Sequence, residues 1–385
     1  MTEMIFNPFN PEHFLNPHEH LKHVRQSCPV EEFAPGLVFT ARDADVRDGL
    51  KNVSAYSNVG SFELEGSSDP PTVNQMDPPR HTRMRLLLQH GLNPKAFKQT
   101  EPFISRMVTE LVGQMASHRQ ADLMQTLAIP LPMLVISHLV GVPAEDCAQF
   151  CRWGAEIVAA VPFDTRQLDS WQPLQNYLLQ MIAEHRSAEQ TRDDLITRLT
   201  QAEVDGVQLT DDEIRITVFQ LMLAGSDPVT SLIGSLVYHL LRQPELWRQV
   251  SEARALVPQA IEEALRRDSP LAWLMRTCTY TTEMQGVKIT PGTRVLLGLA
   301  SANRDETVWS DPDVFSLDRP NAHRHLSFGY GIHFCLGAEL ARLEARIVLE
   351  TLLDHFPTLQ LAPNFRYEQG GGAINPRPKR LDVCW

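Results

Sequence analysis

The chain has 385 residues, of which 43% are hydrophobic and 21% charged, with 27 prolines, 20 glycines and 6 cysteines. These fractions are ordinary for a globular protein, so they exclude a disordered chain, a collagen and a disulfide-stapled miniprotein. Its 35 basic and 47 acidic side chains give a formal charge of −12, which argues against general binding to nucleic acid or to an anionic membrane. Length alone suggests two or three domains, or one unusually large one.

Helical periodicity dominates the sequence in chain order. The apolar spacing predicts helices over residues 79–90, 100–118, 122–140, 167–187, 210–242, 244–267 and 336–354. Strand signals are few: residues 36–40 form one, and residues 287–289 and 294–299 predict a hairpin across a Pro-Gly turn. Because no repeat or flexible linker interrupts this pattern, we expect one large, mainly α-helical domain over residues 1–385.

Two segments, residues 127–143 and 218–241, are apolar enough to test as membrane spans. Both contain prolines and polar side chains, and an acid such as Asp227 would be costly at mid-membrane. We therefore expect the longer segment to be a helix buried in a soluble protein with no membrane contact. The N-terminal sequence shows no basic stretch followed by an apolar run, and no CxxC pair occurs, so we expect a cytoplasmic protein with reduced thiols.

The most informative stretch runs from residue 328 to residue 337, FGYGIHFCLG, and precedes an apolar-periodic helix. Its glycines allow backbone conformations and close approaches that other residues do not. Cys335 stands just before the helix N-terminus, where the helix dipole and free N–H groups favour a thiolate. Such a thiolate can act as a nucleophile or a metal ligand. A buried structural cysteine is the simpler alternative, but Phe328, His333 and the glycines in register argue against it.

This stretch resembles the heme-binding signature of the cytochrome P450 family, FGxGxHxCxG, and matches it at every specified position. The resemblance implies that Cys335 is the thiolate ligand of a heme b iron, a ligand type that favours O–O cleavage. It also implies that Phe328 shields the sulfur, that His333 contacts a heme propionate and that Gly337 lets the flat cofactor approach. The implied fold is mainly α: a single large P450-type helical domain with a small β-rich lobe.

Two residues of a second motif, Glu263 and Arg266, stand at i and i+3 on a predicted helix and can pair. They resemble the family's ExxR element. Arg319, in the irregular polar segment 305–327, matches the family's third partner. The resemblance implies that these three residues are structural and lock the core on the heme side.

A third motif, MDPPRHTRMR, places His81 and Arg85 at i and i+4 at the start of a helix. Basic charge is poorly placed at a helix N-terminus unless an anion lies there. The motif resembles the family's DPPxHTxxR element, whose His and Arg bind heme propionates, and Arg276 matches a further propionate-binding arginine. Charge-assisted hydrogen bonds of this kind are strong away from water.

The longest predicted helix departs from the family's pattern. The family usually reads AGx(D/E)T(T/S) there, and the resemblance places oxygen activation at this turn. Ala224, Gly225 and Asp227 match, but Pro228 replaces the threonine whose hydroxyl takes part in proton delivery. Proline has neither that hydroxyl nor a backbone N–H. Thr230 lies about 200° around the helix from Pro228 and cannot simply substitute for it.

Three interpretations of Pro228 stay open. It merely fixes a kink in the helix, or proton delivery is rerouted through Asp227 and water or through a polar group of the substrate. Alternatively, the enzyme uses peroxide or performs oxidative coupling, which depend less on this relay.

By family position, the substrate pocket is mostly apolar, so we expect a hydrophobic or amphipathic small molecule as substrate. Its candidate residues are Phe62, Leu64, Val161, Phe163, Leu223, Leu271, Trp273 and Leu274. The acidic residues Glu63, Glu65 and Asp69 precede the propionate-binding helix. They are either solvated or able to meet a cationic or hydroxylated substrate.

The sequence contains no fused flavin or iron–sulfur domain, so we expect electrons from a separate ferredoxin and its reductase. Arg342 and Arg346 after the cysteine, with Arg80 and Arg83, could form a basic docking patch despite the acidic total. The sequence thus predicts a monomeric monooxygenase that inserts one oxygen atom from O2. Peroxide-driven or coupling chemistry is the alternative among enzymes, and a heme sensor or carrier is the alternative outside them.

Overall fold

Helices dominate the protein, as the sequence predicts. The computed structural model describes residues 6–61, 69–160, 165–187 and 192–385. The helices are α1 (Pro11–Phe14), α2 (Pro17–Ser27), α3 (Asp43–Lys51), α4 (Arg80–Gly91), α5 (Pro94–Ala116), α6 (Pro130–Val140), α7 (Ala144–Ala160), α8 (Trp171–Ser187), α9 (Leu195–Gln201), α10 (Asp211–Arg242), α11 (Pro244–Glu252), α12 (Val257–Arg267), α13 (Leu299–Ala302) and α14 (Ala338–His355).

Local signals place several helix ends. Thr210 accepts a hydrogen bond from the backbone N–H of Glu213, and the Glu213 side chain accepts from the backbone N–H of Thr210, which completes the capping box of α10. Asn93 caps α5 by accepting from the N–H of Ala96, so this helix begins six residues before its predicted start at residue 100. The predicted helix over 244–267 divides into α11 and α12 around a short 3-10 turn at Arg254–Leu256.

The strands are short. They are β1 (Val30–Ala34), β2 (Leu37–Thr40), β3 (Tyr56–Ser57), β4 (Gln120–Asp122), β5 (Glu203–Val204), β6 (Val207–Gln208), β7 (Leu274–Cys278), β8 (Thr282–Met284), β9 (Val287–Ile289), β10 (Arg294–Leu297), β11 (Gln360–Leu361), β12 (Gln369–Gly370), β13 (Arg377–Pro378) and β14 (Asp382–Cys384). The largest sheet has the order β1-β2-β10-β7-β3.

The predicted hairpin between residues 287–289 and 294–299 is wrong. Strand β9 pairs with β8, whereas β10 runs parallel to β2 and antiparallel to β7. Gln285 and Gly286 have φ values of 52° and 79°, and two left-handed residues form the tight turn that joins β8 to β9. The Pro-Gly turn instead carries the chain from β9 into the larger sheet.

Helix α10 lies at the centre of the largest apolar cluster and packs against α6, α8, α12 and α14. It is the one helix in the described part of the chain that is long and apolar enough to cross a membrane, and 61% of its most apolar window is buried. That burial is typical of a core helix, because its apolar faces contact other helices.

Candidate functional site

The cysteine loop has a constrained backbone. The backbone N–H of Cys335 donates to the carbonyl of Phe328 at 2.9 Å, which closes the loop just before α14. Gly329 and Gly331 have φ values of 72° and 77°, a region that side chains other than glycine rarely adopt. A Cβ on Gly331 would also lie 3.2 Å from the carbonyl oxygen of Leu50. These constraints hold the thiol at the N-terminus of α14.

Protein atoms surround the Cys335 sulfur, yet the residue keeps solvent-accessible surface. Burial raises the pKa of its thiol. The backbone N–H groups of Gly337 and Ala338 and the guanidinium groups of Arg85 and Arg342 act in the opposite direction. Burial therefore outweighs the helix N-terminus that the sequence predicted to favour a thiolate. A bound metal cation would displace the thiol proton and restore the thiolate.

Unpartnered buried donors gather beside this loop. The rings of His81 and His333 are 4.0 Å apart, and all four of their ring nitrogens are buried without a hydrogen-bond partner among the described residues. Arg276 is 2% exposed and has no carboxylate within ion-pair distance in the described ranges. Burial lowers the pKa of Arg276 to about 10 and that of His333 to about 3. Arg85 also acts electrostatically on His333, so the four groups share one neighbourhood.

This donor set fits heme b. Groups left unpaired in the interior are costly, whereas two propionate carboxylates would accept their hydrogen bonds and compensate their charge. Cys335 would hold the iron, and His81, Arg85, Arg276 and His333 would hold the propionates. No group of three or more His, Cys, Asp or Glu side chains in the described ranges could hold a separate metal ion.

Phe328 packs on the main core beside the cysteine loop. The guanidinium of Arg342 lies 4.6 Å from the centre of its ring. That cation–π contact fixes the ring between α14 and the loop. A role in shielding the sulfur stays a prediction.

The structure brings the three predicted structural residues together. Nε and Nη2 of Arg266 each donate a hydrogen bond to the carboxylate of Glu263 at 2.8 Å. Nε of Arg319 donates to the same carboxylate at 2.9 Å. Glu263 and Arg266 are fully buried and Arg319 is 9% exposed. Their remaining donors reach backbone carbonyls between residues 303 and 314. The irregular segment is therefore held to α12 by a buried charge cluster.

The candidate pocket residues separate into groups. Leu271 and Leu274 pack on a common apolar cluster, and Leu274 lies 3.9 Å from the position of a Cβ on Gly329 in the cysteine loop. Leu223 packs on the main core. Phe62, Leu64, Val161 and Phe163 lie outside the described residues, as do Glu63 and Glu65.

Trp273 lies apart from Leu271 and Leu274, and its place in the substrate pocket stays a prediction. It packs with a different apolar cluster near the N-terminus, and its indole N–H donates to the carbonyl of Ala373 at 3.1 Å. Successive side chains in extended backbone point to opposite faces, so Trp273 points away from the side of Leu274 and Arg276. Asp69 pairs with Arg215 at 2.5 Å, so it is an ion-pair partner instead of a solvated acid.

The unusual turn of α10 contains an ion pair that the sequence did not reveal. Asp227 Oδ1 accepts a hydrogen bond from Arg377 Nη1 at 2.5 Å. The helix continues through Pro228, and the hydroxyl of Thr230 donates to the carbonyl of Ala128, so this threonine is occupied elsewhere. Gly225 follows Ala224, and a Cβ added to Gly225 would lie only 2.7 Å from the side chain of Ile136 in α6. Because glycine has no Cβ, Gly225 permits the close packing of α10 against α6.

Arg377 was missed because its segment, NPRPKR, carries no recognisable motif and lies 150 residues from Asp227. Only the packing of strand β13 against α10 brings the two side chains together. No spacing rule in the sequence could have found this pair.

The predicted basic docking patch is partly neutralised. Arg342 makes two hydrogen bonds to Glu262, at 2.7 and 3.1 Å, and Arg346 pairs with Glu101 at 2.6 Å. Arg83 is exposed and has no carboxylate partner among the residues that the structure describes. The surface near α14 is consequently less basic than the sequence suggests.

Comparisons with known proteins show which family the chain resembles. A family model described as Cytochrome P450 matches residues 162–383. The chain is 35% identical to cytochrome P450(MEG) of Priestia megaterium over 322 residues, which cover 81% of this chain and 78% of that protein. It is 35% identical to erythromycin C-12 hydroxylase of Saccharopolyspora erythraea over 345 residues, covering 87% of this chain and 86% of the other.

A solved structure is similar over almost the whole chain. It is CYP109E1 from Bacillus megaterium in complex with testosterone, with a TM-score of 0.87 and 32% sequence identity. The match covers 98% of this chain and 99% of that one.

Proposed function

Because the chain belongs to the cytochrome P450 family, we propose that it oxygenates an amphipathic small molecule with electrons from a separate ferredoxin. The family membership makes it a heme b monooxygenase, as the cysteine motif predicted. When bound, heme b supplies the activation of O2, from which one oxygen atom enters the substrate and the other leaves as water. The observation that carries the proposal is the thiol of Cys335 beside the unpartnered buried ring nitrogens of His81 and His333 and the unpartnered Nε of Arg276.

The chain's own residues set the conditions for that chemistry. Cys335 would hold the iron from the N-terminus of α14, and His81, Arg85, Arg276 and His333 would bind the propionates. Leu271 and Leu274 supply apolar surface that excludes water and favours hydrophobic contact with the substrate.

Asp227 is the acid that we propose for proton delivery. Its Oδ1 accepts from Arg377, and its Oδ2 has no partner among the described residues, so Oδ2 is the atom able to hold a transferable proton. Pro228 offers no hydroxyl, and the next step toward the heme is therefore a water or a polar group of the substrate.

The substrate class rests on apolar surface and on relatives. The solved relative is described in complex with testosterone, and another relative is an erythromycin hydroxylase. Both named molecules are large and amphipathic. We propose a substrate of this type, with at least one polar group available to the proton relay.

The electron partner is proposed to dock on the cysteine side. The side chains of Leu86, Tyr330 and Phe334 are exposed around the cysteine loop and helix α4. Exposed apolar side chains grouped in this way are typical of a protein-docking surface. Arg83, which lies on α4, adds positive charge that fits an acidic ferredoxin. We also propose that the protein is a cytoplasmic monomer.

A second candidate function is peroxide-driven oxidation or oxidative coupling. Pro228 favours it, because the hydroxyl that assists proton delivery in the family is missing from this turn. Peroxide already contains the protons and electrons that the relay and the ferredoxin would supply. Its observable consequence is product formation without NADPH.

One experiment separates these candidates. Heme-loaded protein is screened for ligands that displace water from the ferric heme, and the best ligand is incubated with 18O2, NADPH and a surrogate ferredoxin system. We expect the reduced carbon-monoxide complex at the thiolate-heme position and 18O in the product. A Cys335→His control should lose that absorption position. A parent that turns over only with added peroxide supports the second candidate, and one with no product under either condition supports a sensor or carrier.

The same experiment includes Pro228→Thr. We expect the introduced threonine hydroxyl to assist proton delivery, so a smaller share of the consumed electrons should be released as hydrogen peroxide. If product and peroxide are both unchanged, position 228 has no part in proton delivery.

A further inference from the structure

The acid on α10 is held by an arginine from a distant part of the chain. Arg377 Nη1 and Asp227 Oδ1 are 2.5 Å apart, and the two side chains are 21% and 22% exposed. Arg377 lies in strand β13, which pairs with β12 through Gly370 and Arg377. The pair therefore joins the centre of α10 to a C-terminal hairpin.

Residues 371–376 form the turn of this hairpin, and its shape is fixed from within. Gly371 has a φ of 79°, and a Cβ there would lie 1.9 Å from the carbonyl oxygen of Asn375. The same Cβ would lie 3.0 Å from Cγ of Arg377. The turn is thus closely packed around Gly371, and its backbone sets where the arginine side chain begins.

The turn is also bonded to the segment that leads into β7. The N–H of Ala272 donates to the carbonyl of Ile374 at 2.8 Å, and the Asn375 side chain donates to the carbonyl of Pro270 at 2.9 Å. This segment contains Leu271 and is followed by Leu274, two proposed pocket residues. A substrate that presses on them would act on the turn that carries Arg377.

The ion pair is not needed to attach the hairpin to α10. Pro378 already packs closely against the helix, since its Cδ lies 3.2 Å from the position of a Cβ on Gly234. Partly exposed ion pairs contribute little to the stability of a fold. The neighbouring hairpin charges have their own partners: Lys379 pairs with Glu368 and Arg380 with Asp382. Only Arg377 among these three cations is directed at the acid.

We propose that Arg377 is a positioning residue that fixes the Asp227 carboxylate in one rotamer and leaves Oδ2 as its proton-carrying atom. The inference rests on the proposed function, in which Asp227 delivers protons. Because Pro228 removes the usual hydroxyl, the position of this single carboxylate determines whether water or substrate can reach it. Arg377 and its turn connect that position to the pocket.

The test uses the heme-loaded enzyme and three variants. Arg377→Gln removes the charge, Arg377→Lys keeps it without the planar guanidinium, and Lys379→Gln removes a charge from the same hairpin as the matched control. We expect Arg377→Gln to lower kcat by on the order of tenfold, because a positioned acid contributes roughly 10²–10⁴-fold. Its solvent isotope effect and its peroxide release should rise, while the dissociation constant of the substrate stays near that of the parent. For Arg377→Lys, kcat, the isotope effect and peroxide release should lie between the values of the parent and those of Arg377→Gln. Lys379→Gln should match the parent in all three.

A second readout does not depend on turnover. The infrared carboxylate band of Asp227, identified by its loss in Asp227→Asn, should shift in resting Arg377→Gln and stay unchanged in Lys379→Gln. An unshifted band in Arg377→Gln overturns the positioning role even if the parent is inactive. If the band shifts but kcat, the isotope effect and peroxide release stay at the parental values, the rotamer held by Arg377 has no catalytic use. That result also overturns the positioning role. Absence of oxygenation by the parent, by contrast, contradicts the proposed function and leaves the infrared result to decide the positioning role.

Discussion

At the scale of single residues, burial without a partner marks the groups that carry chemistry or strain. The ring nitrogens of His81 and His333 and the Nε of Arg276 are buried without a partner among the described residues, and the propionates of heme b would supply the acceptors that they lack. Glu344 on α14 is a different case. It is 1% exposed, its Oε2 has no hydrogen-bond partner among the described residues, and burial raises its pKa well above the ordinary value of 4.5.

A pH prediction follows for Glu344. The folded protein retains a proton on this carboxyl that the unfolded chain releases above pH 4.5, so the stability of the fold decreases as pH rises above that value. Glu344→Gln removes this dependence. The unfolding free energy of Glu344→Gln minus that of the parent should therefore increase with pH, by up to about 1.4 kcal/mol per pH unit. Urea unfolding of the two proteins at several pH values measures this difference, and parallel curves would contradict it.

At the scale of elements, the contact of α12 with the irregular segment depends on one buried carboxylate. Glu263 compensates both Arg266 and Arg319, which in turn fix the backbone between residues 303 and 314. The spacing of the helix indicated the first pair, because i and i+3 residues share a face. The second pair depends on the path of a segment without regular structure.

Glu263→Gln should destabilise the fold strongly. It leaves two buried guanidinium groups without a countercharge, a change that costs about 3–5 kcal/mol. The matched control is Glu101→Gln, which breaks the half-exposed pair with Arg346 and should cost about 0–1 kcal/mol. Urea unfolding monitored by circular dichroism measures both values. Equal effects of the two substitutions would show that Glu263 is not the central residue of this contact.

At the scale of the whole molecule, the local charge around the proposed docking surface matters more for binding an electron partner than the total charge of −12. Arg342 and Arg346 are paired with Glu262 and Glu101, so the exposed Arg83 on α4 carries the least compensated positive charge of the predicted patch. A single domain over residues 1–385 stays a prediction, and it is favoured because residues from His81 to Cys335 meet at one site.

Charge reversal tests the docking surface. Arg83→Glu should raise the KM for an acidic ferredoxin and reduce the dependence of its association rate on salt, because steering by opposite charge is lost. Lys379→Glu makes the same charge change on the C-terminal hairpin and should leave both quantities near the parent values. Stopped-flow reduction at several salt concentrations supplies the comparison. If the two variants behave alike, α4 is not part of the docking surface.

The sequence by itself determined the family, the heme b cofactor and the mainly α fold, and these predictions are confirmed. It could do so because Cys335 and its glycines form a continuous motif, and because helix periodicity and capping residues are local. The hairpin at residues 287–299 was wrong, since strand partners depend on which edges meet in space. Tertiary structure also decided the pairing of Asp227 with Arg377. Side chains 150 residues apart are brought together by packing alone, which no local pattern encodes.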